Sequence, residues 1–221
     1  MQIFAYILTA LAAYLIGSIP TGFLVGKARG IDIRTVGSGN IGATNVLRYF
    51  GKPAGIFVLL VDALKGWLAV VVLAKLVLVT LFPAANQQAQ ECLKVTAGVC
   101  AILGHNYTCW LDFKGGKGIA TSAGMLLALV PGALAIILGI WAIVLAFTRY
   151  VSLASMVASF ALPFAVWLTQ KSSTMVLVTG AMTVLAIYKH KANIKRLLNG
   201  TENRLHWSKV SRPAGSSRQT P

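Results

Sequence analysis

Long apolar stretches separated by short polar segments restrict the fold of this chain more than any other feature. In chain order, these stretches are Ile3–Val25, Ala54–Phe82, Val95–Leu103, Ile119–Phe147, Val151–Leu168 and Thr174–Tyr188. A helix needs about 20 apolar residues to cross the hydrocarbon core of a bilayer. The 221 residues are 57% hydrophobic and only 11% charged, with a mean hydropathy of +0.74. This composition excludes an ordinary soluble domain, so the sequence predicts an all-α integral membrane protein.

Two of the stretches differ in length from a single span. Val95–Leu103 is short, but the weakly polar residues on both sides can extend it. Ile119–Phe147 is long for one crossing, and the pair Pro131-Gly132 interrupts it. Because such a pair readily ends one helix and begins another, this stretch is interpreted as two short crossings. The prediction is therefore seven transmembrane helices.

The positions of the basic residues predict the orientation of the chain in the membrane. The net charge is +15, from 20 Lys and Arg against 5 Asp and Glu. The segments that carry most of the cations are Lys27–Lys52, Lys114–Lys117, Arg149 and Lys189–Arg218. Cytoplasmic loops are enriched in Lys and Arg, and seven crossings place these segments there, with the N-terminus periplasmic and the C-terminus cytoplasmic. Five crossings with re-entrant segments would satisfy the same rule, whereas six would not.

The two ends of the chain are interpreted from their composition. No Lys or Arg precedes the first apolar run, so it lacks the basic region of a cleaved signal peptide and is interpreted as a retained span. Residues 1–207 are predicted to form a single polytopic membrane domain. Residues 208–221 have no apolar periodicity, which predicts a disordered basic tail. The three cysteines show no metal-ligand spacing, and no metal site is predicted.

The polar segment after the first apolar stretch combines glycines with hydrogen-bonding side chains. Its residues are Gly37, Ser38, Gly39, Asn40, Ile41, Gly42, Ala43, Thr44 and Asn45, followed by Arg48. Accessible backbone N–H groups, hydroxyls and a fixed cation are what phosphate oxygens require. The segment favours phosphate binding over an ordinary flexible loop, although flexible glycine-rich loops are common at membrane surfaces. It does not match the P-loop pattern.

A second glycine-rich segment precedes the fourth apolar stretch. Its residues are Phe113, Lys114, Gly115, Gly116, Lys117 and Gly118, with Thr121 and Ser122 at the start of the next helix. The positive end of that helix dipole is expected to point at the same place as the two lysines, which favours an anion site. Lysines beside a span also occur simply because cytoplasmic loops are basic, and both interpretations stay open for this segment alone.

Two further polar segments complete the pattern, one around Arg149 with Ser155 and one around His190 with Asn193. With seven crossings, all four polar segments lie on one membrane face, and such convergence builds active sites in helical bundles. Some of these polar residues also have interpretations that involve no catalysis. His190 is equally compatible with a polar cap, His105 with a loop hydrogen bond, and Asp62 with an internal ion pair to Lys65 in the second span.

Three sequence blocks together closely resemble the signature of the bacterial PlsY-type acyl-phosphate:glycerol-3-phosphate acyltransferases. They are Gly-Ser-Gly-Asn-x-Gly-Ala-Thr-Asn-Val-Leu-Arg at Gly37–Arg48, Gly-His-Asn-x(6)-Phe-Lys-Gly-Gly-Lys-Gly-x-Ala-Thr at Gly104–Thr121, and His-Lys-x-Asn-Ile-x-Arg-Leu-x-x-Gly-Thr-Glu at His190–Glu202. The resemblance extends roughly over Gly17–Leu205. It implies an inner-membrane enzyme with seven helices and a cytoplasmic site, which moves a fatty acyl group from acyl phosphate to the 1-hydroxyl of glycerol 3-phosphate. The products would be lysophosphatidic acid and phosphate.

The resemblance also implies roles for individual residues. The residues that it places at the catalytic centre are Ser38, Arg48, His190 and Asn193. Substrate binding is expected from Gly37, Gly39, Asn40, Gly42, Thr44, Asn45, Lys114, Gly115, Gly116, Lys117, Gly118 and Ser155. Glu202 corresponds to a structural position. The chain departs from the family pattern at Ile41 and Thr108, where proline is usual, and at Asp112, where glycine is usual; we expect the loops that lack proline to be looser.

The implied chemistry requires no cofactor, because acyl phosphate is already activated. The implied partners are acyl phosphate, glycerol 3-phosphate and membrane lipid, without nucleic acid, while the oligomeric state is undetermined. The base is either His190 or a substrate phosphate oxygen, and we favour the phosphate, with His190 and Asn193 orienting the substrates. The pattern of His, four residues and Asp found in other acyltransferases is absent. A transporter of phosphorylated metabolites is disfavoured because no internal repeat is evident.

Overall fold

The fold was examined in a computed structural model that describes residues 2–170 and 172–205. The tail predicted over residues 208–221 lies outside the described residues. Across the described ranges the chain is helical and contains no strand. The α-helices are α1 (Gln2–Ser18), α2 (Thr21–Lys27), α3 (Ala43–Phe50), α4 (Lys52–Leu68), α5 (Ala74–Leu81), α6 (Gln87–Asn106), α7 (Ile119–Leu129), α8 (Pro131–Thr148), α9 (Val151–Gln170), α10 (Ser173–Lys189) and α11 (Lys191–Leu198).

Four helical segments in the described part of the chain are long and apolar enough to cross a membrane. They are Gln2–Lys27, Lys52–Leu81, Pro131–Thr148 and Val151–Gln170. Large apolar side chains face outward, including Phe147, which is 86% exposed, and Ile3, which is 76% exposed. Exposed apolar surface on this scale is typical of a surface that contacts lipid. The prediction of an all-α integral membrane protein is confirmed.

Two of the helix breaks fall at prolines, whereas Pro163 lies inside α9 without ending it. The break predicted at Pro131 is confirmed, because α7 ends at Leu129 and α8 begins at Pro131. The extension of Val95–Leu103 in both directions is also observed in α6. The structure adds a break at Pro20, which separates α1 from α2 within an apolar stretch that the sequence analysis treated as continuous. Proline has no N–H to donate, so an α-helix is interrupted there.

Close helix packing at small residues positions the elements that carry the polar segments. A Cβ atom on Gly17 would lie 2.0 Å from the Ala101 carbonyl oxygen, which shows how closely α1 approaches α6. A Cβ atom on Gly124 would lie 1.8 Å from the Ala63 carbonyl oxygen, so α7 approaches α4 equally closely. Such small-residue contacts are the common means of helix association in membranes. They bring the ends of α2, α4, α6 and α7 together.

The short helix α7 begins beside the last turn of α6. It has 11 residues, a length of about 16 Å, whereas a bilayer core is about 30 Å thick. The preceding loop turns back along α6, because a Cβ atom on Gly118 would lie 3.0 Å from the Ile102 side chain. The same Cβ atom would lie 2.7 Å from Asn106 Oδ1, so the N-terminus of α7 lies against the last turn of α6.

Candidate active site

The four polar segments meet around one cavity of about 330 Å³. Ser38, Lys117, Ser155 and Asn193, one from each segment, all line it. The segments are far apart in the chain, and the helix packing described above brings them to the same end of the bundle. The cavity therefore has the composition of a site assembled by the fold rather than by one loop.

The other end of the cavity is apolar and lies between α7, α8, α9 and α10. Its lining side chains are Leu126, Leu134, Ile137, Leu138, Trp141, Ala158, Leu162 and Met182. Along α9, about seven residues or ~10 Å separate Ser155 from Leu162. Beyond them, Val130 and Val166 are 1% and 0% exposed and pack in the same cluster. The cavity thus joins a polar region to an apolar slot that ends in the packed interior.

The first glycine-rich loop depends on glycine at two positions where the backbone is left-handed. Gly37 has φ of 59° and Gly39 has φ of 69°, a region that L-residues with a side chain rarely adopt. A Cβ atom on Gly37 would also lie 2.3 Å from Asn45 Oδ1. The loop can therefore wrap tightly around the Asn45 side chain.

Asn45 holds this loop through its side-chain amide and is only 2% exposed. Its Nδ2 donates to the carbonyl oxygens of Ile33 and Val36 at 3.1 Å each and of Asn40 at 3.0 Å. Its Oδ1 accepts the backbone N–H of Ser38 at 2.9 Å. The amide is saturated by these bonds, so Asn45 shapes the loop that presents Ser38.

Asn40 and Gly42 form the entry to α3. Asn40 Oδ1 accepts the N–H of Gly42 at 2.8 Å, which is an Asx turn. Gly42 then caps α3 without a side-chain hydrogen bond, and Thr44 lies in its first turn. Asn40, Gly42 and Thr44 all line the cavity. The N–H groups of this helix start are therefore next to the polar end of the cavity.

The second glycine-rich loop is held by the end of α6. The N–H of Gly115 donates to the Asn106 carbonyl at 3.2 Å, and the N–H of Gly116 donates to the His105 carbonyl at 2.9 Å. Lys189 Nζ donates to the same Asn106 carbonyl at 2.8 Å. A Cβ atom on Gly116 would lie 2.1 Å from His105 Nε2. The loop therefore lies directly against the imidazole ring, which leaves room only for glycine.

A buried ionic network lies beneath His105. Asp62 Oδ1 pairs with Lys65 Nζ at 2.8 Å and accepts from Thr21 Oγ1 at 3.0 Å. Lys65 Nζ also donates to the Ile19 carbonyl at 3.0 Å. His105 Nδ1 lies 3.7 Å from Asp62 Oδ1, and both residues line the cavity. The internal ion pair expected from the spacing of Asp62 and Lys65 is confirmed, and it supports the floor under the second loop.

Lys117 joins the second loop to the C-terminal segment. Its Nζ donates to Asn193 Oδ1, and Asn193 Nδ2 donates to Glu202 Oε1 at 2.7 Å. Glu202 also accepts from Ser152 Oγ at 2.8 Å and from Arg196 Nε at 2.7 Å. Burial of Glu202 opposes ionisation, but these hydrogen bonds hold its pKa below the usual range. Burial lowers the pKa of Lys117 to about 8, so it is still mostly a cation at neutral pH.

His190 lies between α10 and α11 and is 2% exposed. Its Nδ1 is 2.7 Å from the Ala186 carbonyl oxygen. Because a carbonyl only accepts, Nδ1 carries the proton and Nε2 keeps its lone pair in the neutral ring. Burial and the nearby Lys117 lower the pKa of His190 to about 4. At neutral pH His190 is therefore a neutral imidazole, which is a weak base but a good hydrogen-bond acceptor.

Arg48 and Ser155 line the same cavity. Arg48 Nη2 donates to the Asn203 carbonyl at 2.9 Å, while its buried Nε has no partner within residues 2–170 and 172–205. Ser155 Oγ accepts from Trp141 Nε1 at 3.2 Å, which leaves its own proton available to a ligand. The guanidinium and the hydroxyl both have unused donors for an anion.

Most of the residues predicted for the site line the cavity. They are Ser38, Asn40, Gly42, Thr44, Asn45, Arg48, Lys117, Gly118, Ser155, His190 and Asn193. The predicted residues that do not line it are Gly37, Gly39, Lys114, Gly115 and Gly116. The side chain of Lys114 is exposed, in contrast to that of Lys117. Several lining residues were not predicted as site residues, namely Asp62, His105, Ser122, Ser152, Ser159, Thr183 and Glu202. Polar residues inside apolar stretches are the signal that could have found most of them.

The departures from the family pattern are accommodated locally. Thr108 stands in place of proline, and its hydroxyl donates to the Ser18 carbonyl and accepts from the Trp110 N–H. These bonds fix the turn that proline would otherwise stiffen. Asp112, in place of glycine, has φ of 52°, in the left-handed region that Asp tolerates better than most residues. Ile41 is 3% exposed and packs in a small apolar cluster with Ile33 and Val46.

Comparisons with known proteins agree with the resemblance carried by the three sequence blocks. A family model described as glycerol-3-phosphate acyltransferase matches residues 7–200. The glycerol-3-phosphate acyltransferase of Geobacter sulfurreducens is 47% identical over 202 residues, covering 90% of this chain and 96% of the relative. That of Geotalea daltonii is 45% identical over 197 residues, covering 89% and 96%.

Solved structures of PlsY, an integral membrane glycerol 3-phosphate acyltransferase, share the fold. The glycerol 3-phosphate form is 34% identical with a TM-score of 0.80 and covers 91% of this chain and 96% of that chain. The lysophosphatidic acid form is 33% identical with a TM-score of 0.77 and covers 91% and 95%. With the family model matched across most of its length, this chain belongs to the glycerol-3-phosphate acyltransferase family.

Proposed function

We propose that this protein transfers a fatty acyl group from acyl phosphate to the 1-hydroxyl of glycerol 3-phosphate, giving lysophosphatidic acid and phosphate. The observation that carries the proposal is the single cavity that joins a cationic, donor-rich end to an apolar slot. A substrate pair with two phosphates and one acyl chain has matching parts. The names of the relatives and the two ligand forms of PlsY support glycerol 3-phosphate as acceptor and lysophosphatidic acid as product.

The acyl phosphate is assigned to the first glycine-rich loop. Its phosphate faces the Ser38 hydroxyl and the N–H groups that begin α3, where a fixed partial positive charge favours anions. Its acyl chain enters the apolar slot toward Leu162 and Met182. Acyl phosphate is preferred over a thioester donor because its phosphate is bonded to the reacting carbonyl carbon and so lies next to the anion-binding loop, whereas a thioester has no anionic group at that carbon. Burial of the chain against aliphatic side chains contributes about 0.8 kcal/mol for each methylene group.

Glycerol 3-phosphate is assigned to the other side of the polar end. Lys117 and Arg48 supply positive charge to its phosphate, and Ser155 supplies a hydroxyl. Asn193 and His190 orient its hydroxyl groups, with Glu202 holding Asn193 in place through the Nδ2 hydrogen bond. The predicted contribution of Lys114 to binding is indirect, through the local field, because its side chain is exposed.

The chemical step needs two reactants held close together and a stabilised carbonyl oxygen. The 1-hydroxyl oxygen attacks the acyl carbon, the bond from that carbon to the phosphate oxygen breaks, and phosphate leaves with the electron pair. A phosphate oxygen takes the hydroxyl proton, because the pKa of His190, about 4, makes its ring a poor base in the empty site. Positioning supplies about 7–11 kcal/mol of the barrier reduction, and one well-placed donor to the carbonyl oxygen supplies roughly 2.7–4 kcal/mol.

The proposed membrane arrangement has seven crossings, with the N-terminus periplasmic and the site on the cytoplasmic face of the inner membrane. The four long spans are joined by α6, α10 and α7, and α7, with 11 residues, is the shortest crossing. Residues 1–207 act as one polytopic domain in this proposal. The excess of Lys and Arg at the end of the bundle that carries the site supports the orientation.

The deciding experiment is donor choice by purified protein. Detergent-solubilised protein is supplied with labelled glycerol 3-phosphate and with palmitoyl phosphate, palmitoyl coenzyme A or palmitoyl acyl carrier protein in turn. Labelled lysophosphatidic acid is expected with palmitoyl phosphate alone. Arg48→Ala is expected to reduce product formation by at least ~100-fold, because a charge-assisted phosphate contact is lost. Equal use of a thioester donor would overturn the donor assignment.

A further inference from the structure

A second cavity, of about 550 Å³, lies at the far end of the bundle from the active site. It lies between α5, the start of α6 and the end of α7, next to the π-helical turn Ala69–Leu73 that connects α4 to α5. The opposite end of α6, at Asn106, contacts the second glycine-rich loop. Since α6 has 20 residues and is about 30 Å long, the two cavities are near opposite surfaces of the membrane.

Two lysines line this cavity at matching depths. Lys75 lies about seven residues, or ~10 Å, before Phe82, the C-cap of α5, and Lys94 lies a similar distance after Asn86, the N-cap of α6. The two helices are antiparallel neighbours, so the lysines start from nearly the same level. The segment Lys52–Leu81 has 30 residues, about 45 Å, which matches a bilayer with its headgroups. The ammonium groups therefore reach the headgroup level of that leaflet.

Neither lysine is neutralised by a carboxylate in the described part of the chain. Ion pairs at Lys75 and Lys94 are absent there. Glu91 is a carboxylate near the start of α6, and it instead accepts from Gln87 Nε2 at 3.3 Å. The lysine-lined cavity also includes the Gln90 side chain. Cations at the headgroup level attract anionic lipid, and these two are not occupied by a carboxylate among the described residues.

The rest of the lining is apolar and open to lipid. It includes Val71, Leu78, Val79 and Phe82, and Val79 is 67% exposed on the outer surface. A ligand that fits must carry an anionic group at the headgroup level and hydrocarbon below it. Free phosphate would leave the apolar lining uncovered, and a neutral lipid would leave the two cations unpaired.

We propose that this cavity binds one anionic phospholipid, with its phosphate between Lys75 and Lys94 and an acyl chain along α5. The site is separate from the acyl-transfer cavity and does not depend on the reaction proposed for it. A lipid bound there would hold the α5–α6 corner, where the helix passes through the π-helical turn and is not straight. The occupant comes from the leaflet opposite the active site.

The test is a lipid titration of the detergent-purified full chain, followed by native mass spectrometry. The probe is palmitoyl-oleoyl phosphatidylglycerol, with phosphatidylcholine of the same chains as the comparison lipid. Tight retention of one phosphatidylglycerol is expected, and the Lys75→Gln/Lys94→Gln double variant is expected to bind it about 30-fold more weakly. The Lys75→Arg/Lys94→Arg variant keeps both charges and is expected to stay within about threefold of the unmodified chain.

The matched control removes two lysines from the other end of the bundle. Lys27→Gln/Lys52→Gln has the same net charge as the test variant and is expected to retain the lipid. Equal loss of the lipid in both double variants would show unspecific charge attraction and overturn the proposal. Equal retention of phosphatidylcholine would overturn it as well. Displacement of the lipid by millimolar inorganic phosphate would point to a soluble anion instead, which also contradicts the proposal.

Discussion

The two glycine-rich loops border the same cavity, yet they are supported in opposite ways. The first is held from within, because a single buried side chain, Asn45, makes hydrogen bonds to Ser38 and to three carbonyl groups of its own segment. The second is held from outside, by the end of α6 and by the imidazole of His105 above the Asp62 ion pair. The first loop is therefore shaped by its own residues, whereas the second takes its shape from the assembled bundle.

The difference matters for what each loop is proposed to bind. A loop that is held by its own residues keeps its shape when the helices shift. This property suits a binding site for acyl phosphate. The second loop presents Lys117 through contacts with α6, α4 and the C-terminal segment. Small movements of those helices are transmitted to Lys117, so glycerol 3-phosphate binding is expected to respond to packing changes far from the substrate.

The largest expected effect comes from removing the brace of the first loop. Asn45→Ala leaves the Ser38 N–H and the carbonyl oxygens of Ile33 and Asn40 without this partner, whereas the Val36 carbonyl still accepts the Gly39 N–H. Each group that stays buried and unpaired costs about 1–3 kcal/mol. We expect kcat with palmitoyl phosphate to fall by about 10²–10³-fold, because the loop no longer holds Ser38 in position. Asn45→Asp keeps the acceptor for Ser38 but loses the donors, and a similar loss is expected.

The control for this prediction is Asn199→Ala, an exposed asparagine at the end of α11. It is expected to leave both kcat and the melting temperature unchanged. Because the brace is local, Asn45→Ala is expected to retain the helical circular dichroism of the unmodified protein, with a lower melting temperature from the lost hydrogen bonds. An Asn45→Ala enzyme with near-normal kcat would show that the brace is dispensable and would remove the contrast between the loops.

A smaller effect is expected from crowding the support of the second loop. In Gly116→Ala the new Cβ atom would lie 2.1 Å from His105 Nε2, so the loop or the ring must move. We expect the KM for glycerol 3-phosphate to rise about 10–100-fold, with a smaller change in kcat, because Lys117 is displaced. Adding His105→Ala removes the clash and is expected to recover much of the lost affinity.

Steady-state kinetics of the two single variants and the double variant form a double-mutant cycle. Strong positive coupling between positions 105 and 116 is expected for a loop supported by the ring. Gly139→Ala is the matched control, since a Cβ atom on Gly139 meets nothing within 4 Å, and it is expected to be neutral. Additive effects in the cycle would mean that the imidazole does not position the loop.

Much of this arrangement was predicted from the sequence. The features that were not predicted depend on which way side chains point in the folded protein and on tertiary contacts. The break at Pro131 and the cationic segments follow from local chemistry and were read from the chain. The brace by Asn45 was missed, because nothing in the sequence shows that its amide faces inward while Ser38 faces the cavity. The spacing of Lys114 and Lys117 did not reveal that only the second enters the cavity. The contact between His105 and Gly116 depends on how the loop folds back along α6, which is a tertiary feature.

A pH dependence of about tenfold is expected from Lys117. Its pKa is lowered to about 8 by burial, so the free enzyme loses this cation as pH rises through that value. The affinity for glycerol 3-phosphate is present below pH 8 and lost above it, and kcat/KM is expected to fall by up to about tenfold for each pH unit. Bound phosphate favours the charged form, so kcat at saturation is expected to change less.

Lys117→Arg tests the origin of this profile. Arginine stays protonated throughout the accessible range, so the fall in kcat/KM above pH 8 is expected to disappear even if the absolute activity is lower. A profile that keeps its inflection in this variant would assign the titration to another group. Lys114→Arg is the control, and it is expected to leave the profile unchanged because its side chain is exposed.

The smallest effect is expected in the turn that leads into the second loop, where support is local again. Asp112 has φ of 52°, a conformation that glycine adopts without strain and that a Cβ atom disfavours by roughly 1 kcal/mol. Asp112→Gly is expected to be the most stable variant at this position, and Asp112→Ala the least stable, with about 1 kcal/mol between their free energies of unfolding. Thermal melts in detergent measure the order.

Since Asp112 does not line the cavity, activity is expected to stay the same in both variants. This result would separate the stability of the turn from the support that the bundle gives to Lys117. An unchanged order of melting temperatures with altered KM would instead couple this turn to the substrate, and the division between local and assembled support would fail at that point.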